Sequence, residues 1–232
     1  MTMTLRPSVE RGHANHGWLD SHHSFSFAHY FDPAHMGFRA LRVINDDVIG
    51  AGAGFPTHGH SDMEILTYVV DGALEHKDSA GNHTVLKRGG VQQMSAGTGI
   101  RHSEFNASRT EPLRLLQIWI LPEKDGIKPG HRELVFNDDA KRNRLRLLAA
   151  PEGGDVLPIH QDARMYAAIL DDGTSVSHDI APGRGVWVQV VSGEMTANGT
   201  KMASGDGLAV ENAERIDFTA QGGVEFLLFD LA

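Results

Sequence analysis

Short apolar runs bounded by turn-forming residues constrain the fold of this chain more than any other feature of its sequence. The runs ILTYVV (65–70), LRLLQIWIL (113–121), GVWVQVV (185–191) and VEFLLFDL (224–231) are each bordered by Gly, Pro, Asp or Asn. Helical periodicity is hard to find between them. Many short strands joined by Gly-rich turns favour a sandwich or a barrel, and the 26 glycines fit numerous tight turns. The sequence therefore predicts an all-β fold.

A weak internal repeat predicts two β units of similar construction. The segments YVVDG (68–72) and QVVSG (189–193) each carry an apolar strand into a glycine turn, and each is followed by a second strand and another Gly-rich stretch. A polar segment punctuated by Pro and Gly, residues 122–143, connects the two units. We expect an N-terminal domain (1–125), a linker (126–143) and a C-terminal domain (144–232).

Composition limits the chemistry that the chain can perform. The 232 residues include no cysteine and 14 histidines. Without thiols, the chain forms no disulfide, thiolate zinc site or iron–sulfur cluster, so any metal must be held by His and carboxylate. The 41% hydrophobic and 22% charged residues are typical of a soluble globular protein.

Charge and hydrophobicity also bear on partners and location. The net charge is -9 and the basic residues are scattered, which argues against direct binding of nucleic acid. No apolar run approaches the roughly 20 residues that a membrane helix needs. The first residues, MTMTLRPSVERGH, contain no apolar stretch of the secretory type. We therefore expect no membrane partner and a cytoplasmic location.

Two histidine motifs suggest a metal site. In FPTHGHSDME (55–64), His58 and His60 are two residues apart, and in SAGTGIRHSEFN (95–106) the same spacing separates His102 from Glu104. In a strand, residues i and i+2 point to the same face, so each motif delivers two donors to one side of a sheet. Three imidazoles and one carboxylate suit Fe, Cu, Ni, Mn or Zn, and an octahedral metal would keep two positions open.

Two other interpretations of these motifs stay open on the residues alone. An isolated HxH in a turn rich in Gly and Pro is usually a surface feature. Four protein ligands on tetrahedral zinc would instead form a closed structural site with no place for a substrate. The coordination number separates a closed site from an open one.

The spacing of these motifs resembles the two halves of the cupin signature, and longer segments resemble the pirin family. These segments are RGHANHGWLDSHHSFSFAHYFDP (11–33), FPTHGHSDMEILTYVVDGALEHKDS (55–79), MSAGTGIRHSEFN (94–106) and LLQIWILP (115–122). The similarity covers most of the first 125 residues and, more loosely, the remainder. It is strongest to the bacterial pirin-like proteins with quercetin 2,3-dioxygenase activity.

The resemblance implies a bicupin fold of two antiparallel β-barrels, each a double-stranded β-helix or jelly-roll. The N-terminal barrel would bind one divalent transition metal, Fe(II) in the first place, with Cu, Ni, Mn, Co or Zn also accepted. Carried over to this sequence, the metal ligands are His58, His60, His102 and Glu104. Glu64 is a rival for the fourth position because many cupins take their carboxylate ligand from the first motif. The C-terminal barrel lacks the ligand histidines and is expected to be metal-free.

The resemblance also implies an activity, the O2-dependent opening of a flavonol such as quercetin with release of carbon monoxide. Glu104 would then be catalytic as well as a ligand, accepting the proton of the flavonol 3-hydroxyl group. The partners would be the flavonol and O2. The alternative is a metal-containing, redox-sensing regulator that acts through a protein partner, as eukaryotic pirins do. The acidic net charge argues against carrying that role over to this chain directly.

Other conspicuous side chains carry simpler expectations. We expect His16 and His23 to lie near the mouth of the site or to hold backbone groups in their loop. The aromatic residues Trp18, Phe25, Phe27 and Tyr30 are predicted to be core residues. We expect His160 and His178 to be surface histidines or core histidines with satisfied hydrogen bonds.

Overall fold

The computed structural model describes all residues, Met1–Ala232, and consists almost entirely of β-strands. The strands of the first half are β1 (Thr2–Arg6), β2 (Gly12–Asn15), β3 (Leu19–His23), β4 (Leu41–Ile49), β5 (Gly54–His60), β6 (Glu64–Asp71), β7 (Ala73–Asp78), β8 (His83–Lys87), β9 (Gly90–Ser95), β10 (Ile100–Asn106), β11 (Leu113–Ile120) and β12 (Gly130–Val135). Those of the second half are β13 (Arg146–Ala150), β14 (Leu157–Pro158), β15 (Ala163–Leu170), β16 (Ser175–Asp179), β17 (Gly185–Ala197), β18 (Thr200–Ala203), β19 (Gly207–Glu211) and β20 (Arg215–Leu231). The only helices are a 3-10 turn (Ser8–Glu10) and the four-residue α1 (Asp138–Lys141). None has the length or apolarity needed to cross a membrane.

The strands form three sheets. The first half contains a seven-stranded sheet in the order β12-β9-β6-β11-β4-β3-β2 and a four-stranded sheet in the order β5-β10-β7-β8. The second half contains a nine-stranded sheet in the order β1-β19-β17-β20-β15-β13-β14, with β16 beside β20 and β18 beside β17. All strand pairs are antiparallel except β13 and β14. The predicted all-β class is confirmed, and the arrangement is that of two jelly-rolls.

The first strand belongs to the sheet of the second half. Strand β1 pairs with β19 along its whole length, from Thr2 opposite Glu211 to Arg6 opposite Gly207. The main chain then returns to the first half, where β2 begins. The division at residues 125 and 143 stays a prediction, and β1 crosses it.

The two halves share one hydrophobic core. A cluster of 23 buried residues contains Leu66 and Ile118 from the first half and Trp187 and Phe229 from the second. Because apolar residues of both halves are removed from water in this one cluster, the shared core holds the two units in one body.

A buried polar group lies beside this core and ties α1 to both halves. The fully buried Lys141 donates from Nζ to the hydroxyl of Tyr68 over 2.7 Å. The Tyr68 hydroxyl in turn donates to Glu225 of β20, and Arg88 contacts the same carboxylate at 3.1 Å. Each buried charge therefore has a partner, as low-dielectric surroundings require.

Candidate metal centre

The pairing of β5 with β10 brings the three predicted histidines together. His58 lies directly opposite His102 in the two strands, so both side chains project to the same face. Their rings are 4.4 Å apart between centroids, and the His60 ring lies 4.8 Å from the first and 4.9 Å from the second. One ring nitrogen from each residue can be chosen so that all three lie within 4.8 Å of one another. The structure thus forms a triad of convergent imidazoles.

A bulge at Pro56 sets the orientation of His58. Between the pairs His102–His58 and Glu104–Phe55, β5 has two residues where β10 has one. Proline has no N–H to give to a sheet and is tolerated at an edge or a bulge, and β5 is an edge strand. The Pro56 carbonyl lies 2.9 Å from His58 Nδ1. Because that carbonyl can only accept, Nδ1 carries the proton and Nε2 keeps its lone pair.

The lone pair of His58 points at His102, and burial keeps the neighbouring rings neutral. The two Nε2 atoms are 3.0 Å apart. Burial, followed by the proximity of His58, lowers the pKa of His60 to about 4. Burial, followed by His58 and His60, lowers the pKa of His102 to about 3. Neutral imidazoles are the form that binds a metal, so the donor set fits a divalent transition metal such as Fe, Ni, Cu or Zn.

Glu104 lies beside the histidine triad, held by amide and hydroxyl donors. Its Oε2 accepts a hydrogen bond from Gln117 at 2.9 Å, and Gln92 Nε2 and Thr67 Oγ1 lie 3.5 Å from Oε1. Burial, followed by the charge of Asp47, raises the pKa of Glu104 to about 7. The Glu104 carboxylate clusters with His102 and His76, and it does not fall in the 4.8 Å group formed by His58, His60 and His102.

Glu64 is engaged elsewhere. Its buried carboxylate accepts from Gln93 Nε2 at 2.9 Å and from the backbone N–H of His160 at 3.3 Å. The His160 ring nitrogen Nδ1 also lies 3.3 Å from Glu64 Oε1. Glu64 belongs to none of the histidine and carboxylate clusters that could hold a metal. This acid therefore links the first half to a half-exposed histidine of the second half.

A cavity of about 820 Å³ opens onto the histidine triad. His58, His60 and Glu104 form part of its wall. The apolar part of the wall includes Leu19, Phe27, Phe55 and Trp119, and the polar part includes Ser21, His23, Asn45, Asp47 and Gln117. Aromatic side chains together with convergent polar groups suit a small organic ligand that carries hydroxyl groups.

The N-terminal segment supplies much of this wall. His16 and His23 both line the cavity, and His23 Nδ1 donates to Asn45 Oδ1 over 2.8 Å. Of the four aromatic residues predicted to be core, Phe25 is buried, whereas Phe27 and Tyr30 line the cavity instead.

The core prediction is wrong for Trp18, whose surface is 36% exposed. Its position explains the exposure, because the residue lies in the turn between β2 and β3, where its ring packs edge-on against Phe55 at 5.2 Å between centroids. His178 is a satisfied histidine, as predicted, with Nε2 2.7 Å from Asp230.

Asp47 is a cavity residue that the sequence did not reveal. It follows Asp46 in β4, and alternation sends the two carboxylates to opposite faces: Asp46 pairs with Arg114 at 2.9 Å, whereas Asp47 turns into the cavity and accepts from the Ser21 hydroxyl. Burial raises the pKa of Asp47 to about 7, although the hydrogen bond from Ser21 acts in the opposite direction and lowers it. No spacing rule marks a lone buried acid in a strand, so only the fold identifies it.

Replacing Asp47 with asparagine should flatten the pH dependence of stability in the metal-free protein. The folded state retains a proton that the unfolded chain, with a pKa near 3.8, has released. The stabilisation that Asp47 provides in acid is therefore complete below about pH 4 and is lost as the pH rises through about 7. The shift corresponds to on the order of 4 kcal/mol. Urea unfolding of both proteins between pH 4 and 8 should show the variant losing less stability; parallel curves would contradict this assignment.

Gly54 should tolerate alanine poorly, because β5 and β10 approach closely there. A Cβ at Gly54 would come within 2.3 Å of the Glu104 carbonyl oxygen and 2.5 Å of the Phe105 Cα. Displacing β5 would move His58 from His102, and we expect nickel affinity to fall by about 10- to 100-fold. Gly59 is the matched control, since its Cβ would meet nothing nearer than 3.8 Å. Calorimetric titration should show normal affinity in Gly59→Ala and weak binding in Gly54→Ala; equal affinities would contradict the argument.

Two jelly-roll halves, with a histidine triad in the first and none in the second, define a bicupin with one candidate metal centre. The chain belongs to the pirin family: the pirin profile matches residues 4–120 and the profile of the quercetinase C-terminal cupin domain matches residues 147–231. The predicted family is confirmed.

Proteins of known name and structure resemble the chain over nearly its full length. It is 56% identical to quercetin 2,3-dioxygenase of Escherichia coli K12 over 228 residues, which cover 98% of this chain and 97% of that protein. It is 43% identical to a putative quercetin 2,3-dioxygenase of Pseudomonas aeruginosa, with 98% of each covered. The crystal structure of the bacterial pirin YhhW from E. coli in complex with nickel(II) superimposes with a TM-score of 0.94 at 52% identity, covering 99% of both chains.

Proposed function

We propose that this protein is a metal-dependent flavonol dioxygenase of the quercetin 2,3-dioxygenase type, which opens the flavonol ring with O2 and releases carbon monoxide. The observation that carries the proposal is the triad of convergent imidazoles at the wall of an 820 Å³ cavity. The 56% identity to the E. coli quercetin 2,3-dioxygenase supports the same reaction class.

The proposed metal ligands are His58, His60, His102 and Glu104. The carboxylate is assigned to Glu104 because it clusters with His102, whereas Glu64 is bonded to Gln93 and His160. Fe(II) is the first candidate and nickel the second, since a bacterial pirin has been crystallised with nickel(II). When bound, the metal would act as a Lewis acid that favours the deprotonated form of the flavonol 3-hydroxyl group.

The residues of the cavity account for binding and proton transfer. The flat, polyphenolic flavonol would lie between the aromatic walls formed by Phe27, Phe55 and Trp119, with its hydroxyl groups toward polar side chains such as Asn45. Glu104 would accept the proton of the 3-hydroxyl group, since a carboxylate beside the bound metal lies within reach of that oxygen. Gln117 would hold the carboxylate in place.

The remaining chemistry belongs to the substrate. Electrons of the flavonolate would reduce O2, whose atoms join two carbons of the flavonol ring. The ring opens, the carbon between them leaves as carbon monoxide, and both oxygen atoms of O2 are retained in the products. The protein would contribute orientation and exclusion of water from this step. The cytoplasmic location and the absence of a nucleic-acid partner remain predictions.

The test is quercetin consumption and carbon monoxide release in air, measured on protein stripped of metal and reloaded with Fe(II), Cu(II), Ni(II), Mn(II), Co(II) or Zn(II). A His58→Ala, His102→Ala double variant serves as the negative control. We expect metal-dependent release of carbon monoxide that the double variant lacks. Stoichiometric metal binding without carbon monoxide from any metal would reject the dioxygenase and favour the redox-sensing regulator with a protein partner.

A further inference from the structure

The spacing that joins His102 to Glu104 occurs twice more in the first half of the chain. His76 and Asp78 have it in β7 (HKD), and His131 and Glu133 have it in β12 (HRE). In each strand the histidine and the acid therefore lie on one face. None of these four residues is among the ligands proposed above, although His76 lies beside His102 and Glu104.

The fold brings the two pairs together across two sheets. Strand β7 lies in the four-stranded sheet and β12 at the edge of the seven-stranded sheet. The rings of His76 and His131 stack at 4.5 Å with only 8° between their planes. Ligand atoms of His76, Asp78 and His131 all lie within 4.8 Å of one another.

Distances within each pair suit neighbouring ligands of one cation. His76 Nε2 is 3.3 Å from Asp78 Oδ2, and His131 Nε2 is 3.3 Å from Glu133 Oε1. Two ligands on a tetrahedral zinc ion, with bonds of about 2.0–2.1 Å, are separated by roughly 3.4 Å. Each pair therefore has the separation that such an ion imposes, and Glu133 is connected to the group of three through His131.

Burial leaves ring nitrogens of this cluster without partners. The side chains of His76 and Asp78 are fully buried, and that of His131 is 5% exposed. His76 Nδ1 and His131 Nε2 are buried and make no hydrogen bond. An unsatisfied buried polar atom costs on the order of 1–3 kcal/mol. An ion bound to His131 Nε2 would remove that cost for His131, whereas His76 would bind through Nε2 and its Nδ1 would stay outside the site.

The acids of the cluster are already oriented by other groups. Asp78 accepts from the backbone N–H groups of Ala80 and Asn82 and from Asn82 Nδ2, and Glu133 accepts from the Thr84 hydroxyl at 2.5 Å. Such outer hydrogen bonds are typical of carboxylates that ligate metals, because they fix the ligand before the ion arrives. A carboxylate has about four acceptor positions, which leaves room for a cation.

We propose that His76, Asp78, His131 and Glu133 form a second metal site, selective for a borderline divalent ion of the zinc class. Two imidazoles and two carboxylates suit such an ion. The site would be structural, since it would cross-link β7 to β12 and so join the two sheets of the first half. Glu133, with a side chain 20% exposed, marks the side from which the ion enters.

The test compares zinc bound per chain in full-length, metal-stripped protein after titration with Zn(II) and gel filtration. Three variants are compared with the wild type: His131→Gln, Glu133→Gln and, as the matched control, His83→Gln. His83 forms an exposed contact with Glu75 on the same sheet at 2.8 Å and lies outside the cluster. We expect both cluster variants to bind one zinc fewer than the wild type and the control to bind the same amount.

Thermal unfolding gives a second readout. Zinc should raise the Tm of the wild type and of the control by more than it raises the Tm of the cluster variants. The reason is that an ion which binds only the folded state stabilises that state. The partly exposed Glu133 keeps the test valid if His131→Gln fails to fold. Equal zinc content in the wild type and Glu133→Gln would overturn the proposal, whatever the outcome for the first centre.

Discussion

Replacing His102 with alanine is expected to abolish both metal binding and flavonol turnover. The two Nε2 atoms of His102 and His58 face each other at 3.0 Å, so the substitution removes one donor of the closest pair in the triad. With only two imidazoles left, the site should bind the metal weakly. Without the metal as a Lewis acid, the flavonol 3-hydroxyl group keeps its proton. We expect kcat/KM to fall by about a thousandfold or more.

The measurements are metal content by mass spectrometry and carbon monoxide release under air. His178→Ala is the matched control, because His178 is a satisfied histidine of the second half and Arg184 still pairs with its partner Asp230. The control should retain metal and activity. If His102→Ala released carbon monoxide at the wild-type rate, the proposed centre would be wrong.

The second large effect is expected from Glu104→Gln. The amide has nearly the shape of the acid but cannot take up the proton of the flavonol, and loss of a general base costs about 10²- to 10⁴-fold in rate. Folding should be preserved, because burial favours a neutral side chain at this position, as the raised pKa of Glu104 indicates. We therefore expect a large loss of kcat in a stable protein.

Glu64→Gln is the comparison that separates the two candidate acids. Glu64 is also fully buried, but its partners are Gln93 and His160, so the change should affect packing between the halves and leave kcat close to wild type. Steady-state kinetics with equal metal loading measures both variants. A larger loss in Glu64→Gln than in Glu104→Gln would reverse the assignment.

Local spacing made much of this site predictable. One residue separates His58 from His60 and His102 from Glu104, and a strand places residues at that spacing on one face. The apolar runs between turn residues predicted the strands in the same way. A chain that lacks helical periodicity and has frequent glycine turns has few alternatives to a β-sheet. The all-β class and the convergence of the three histidines follow from such short-range rules.

Pairing between distant strands was not predictable in this way. Asp47 reaches the cavity only because β4 lies beside β11 and β3. The cluster of His76 and His131 had a visible signal in its HxD and HxE spacing, but only the fold shows that β7 and β12 face each other. The partner of β1 was likewise hidden, since Thr2 and Glu211 meet across nearly the whole chain.

The pairing of β1 with β19 is the intramolecular counterpart of a domain swap. A chain carrying a single repeat would leave β19 as a bare edge, with unpaired N–H and C=O groups that attract other strands. In this chain β1 covers that edge, so the strand that would otherwise attract a second copy is paired within the molecule.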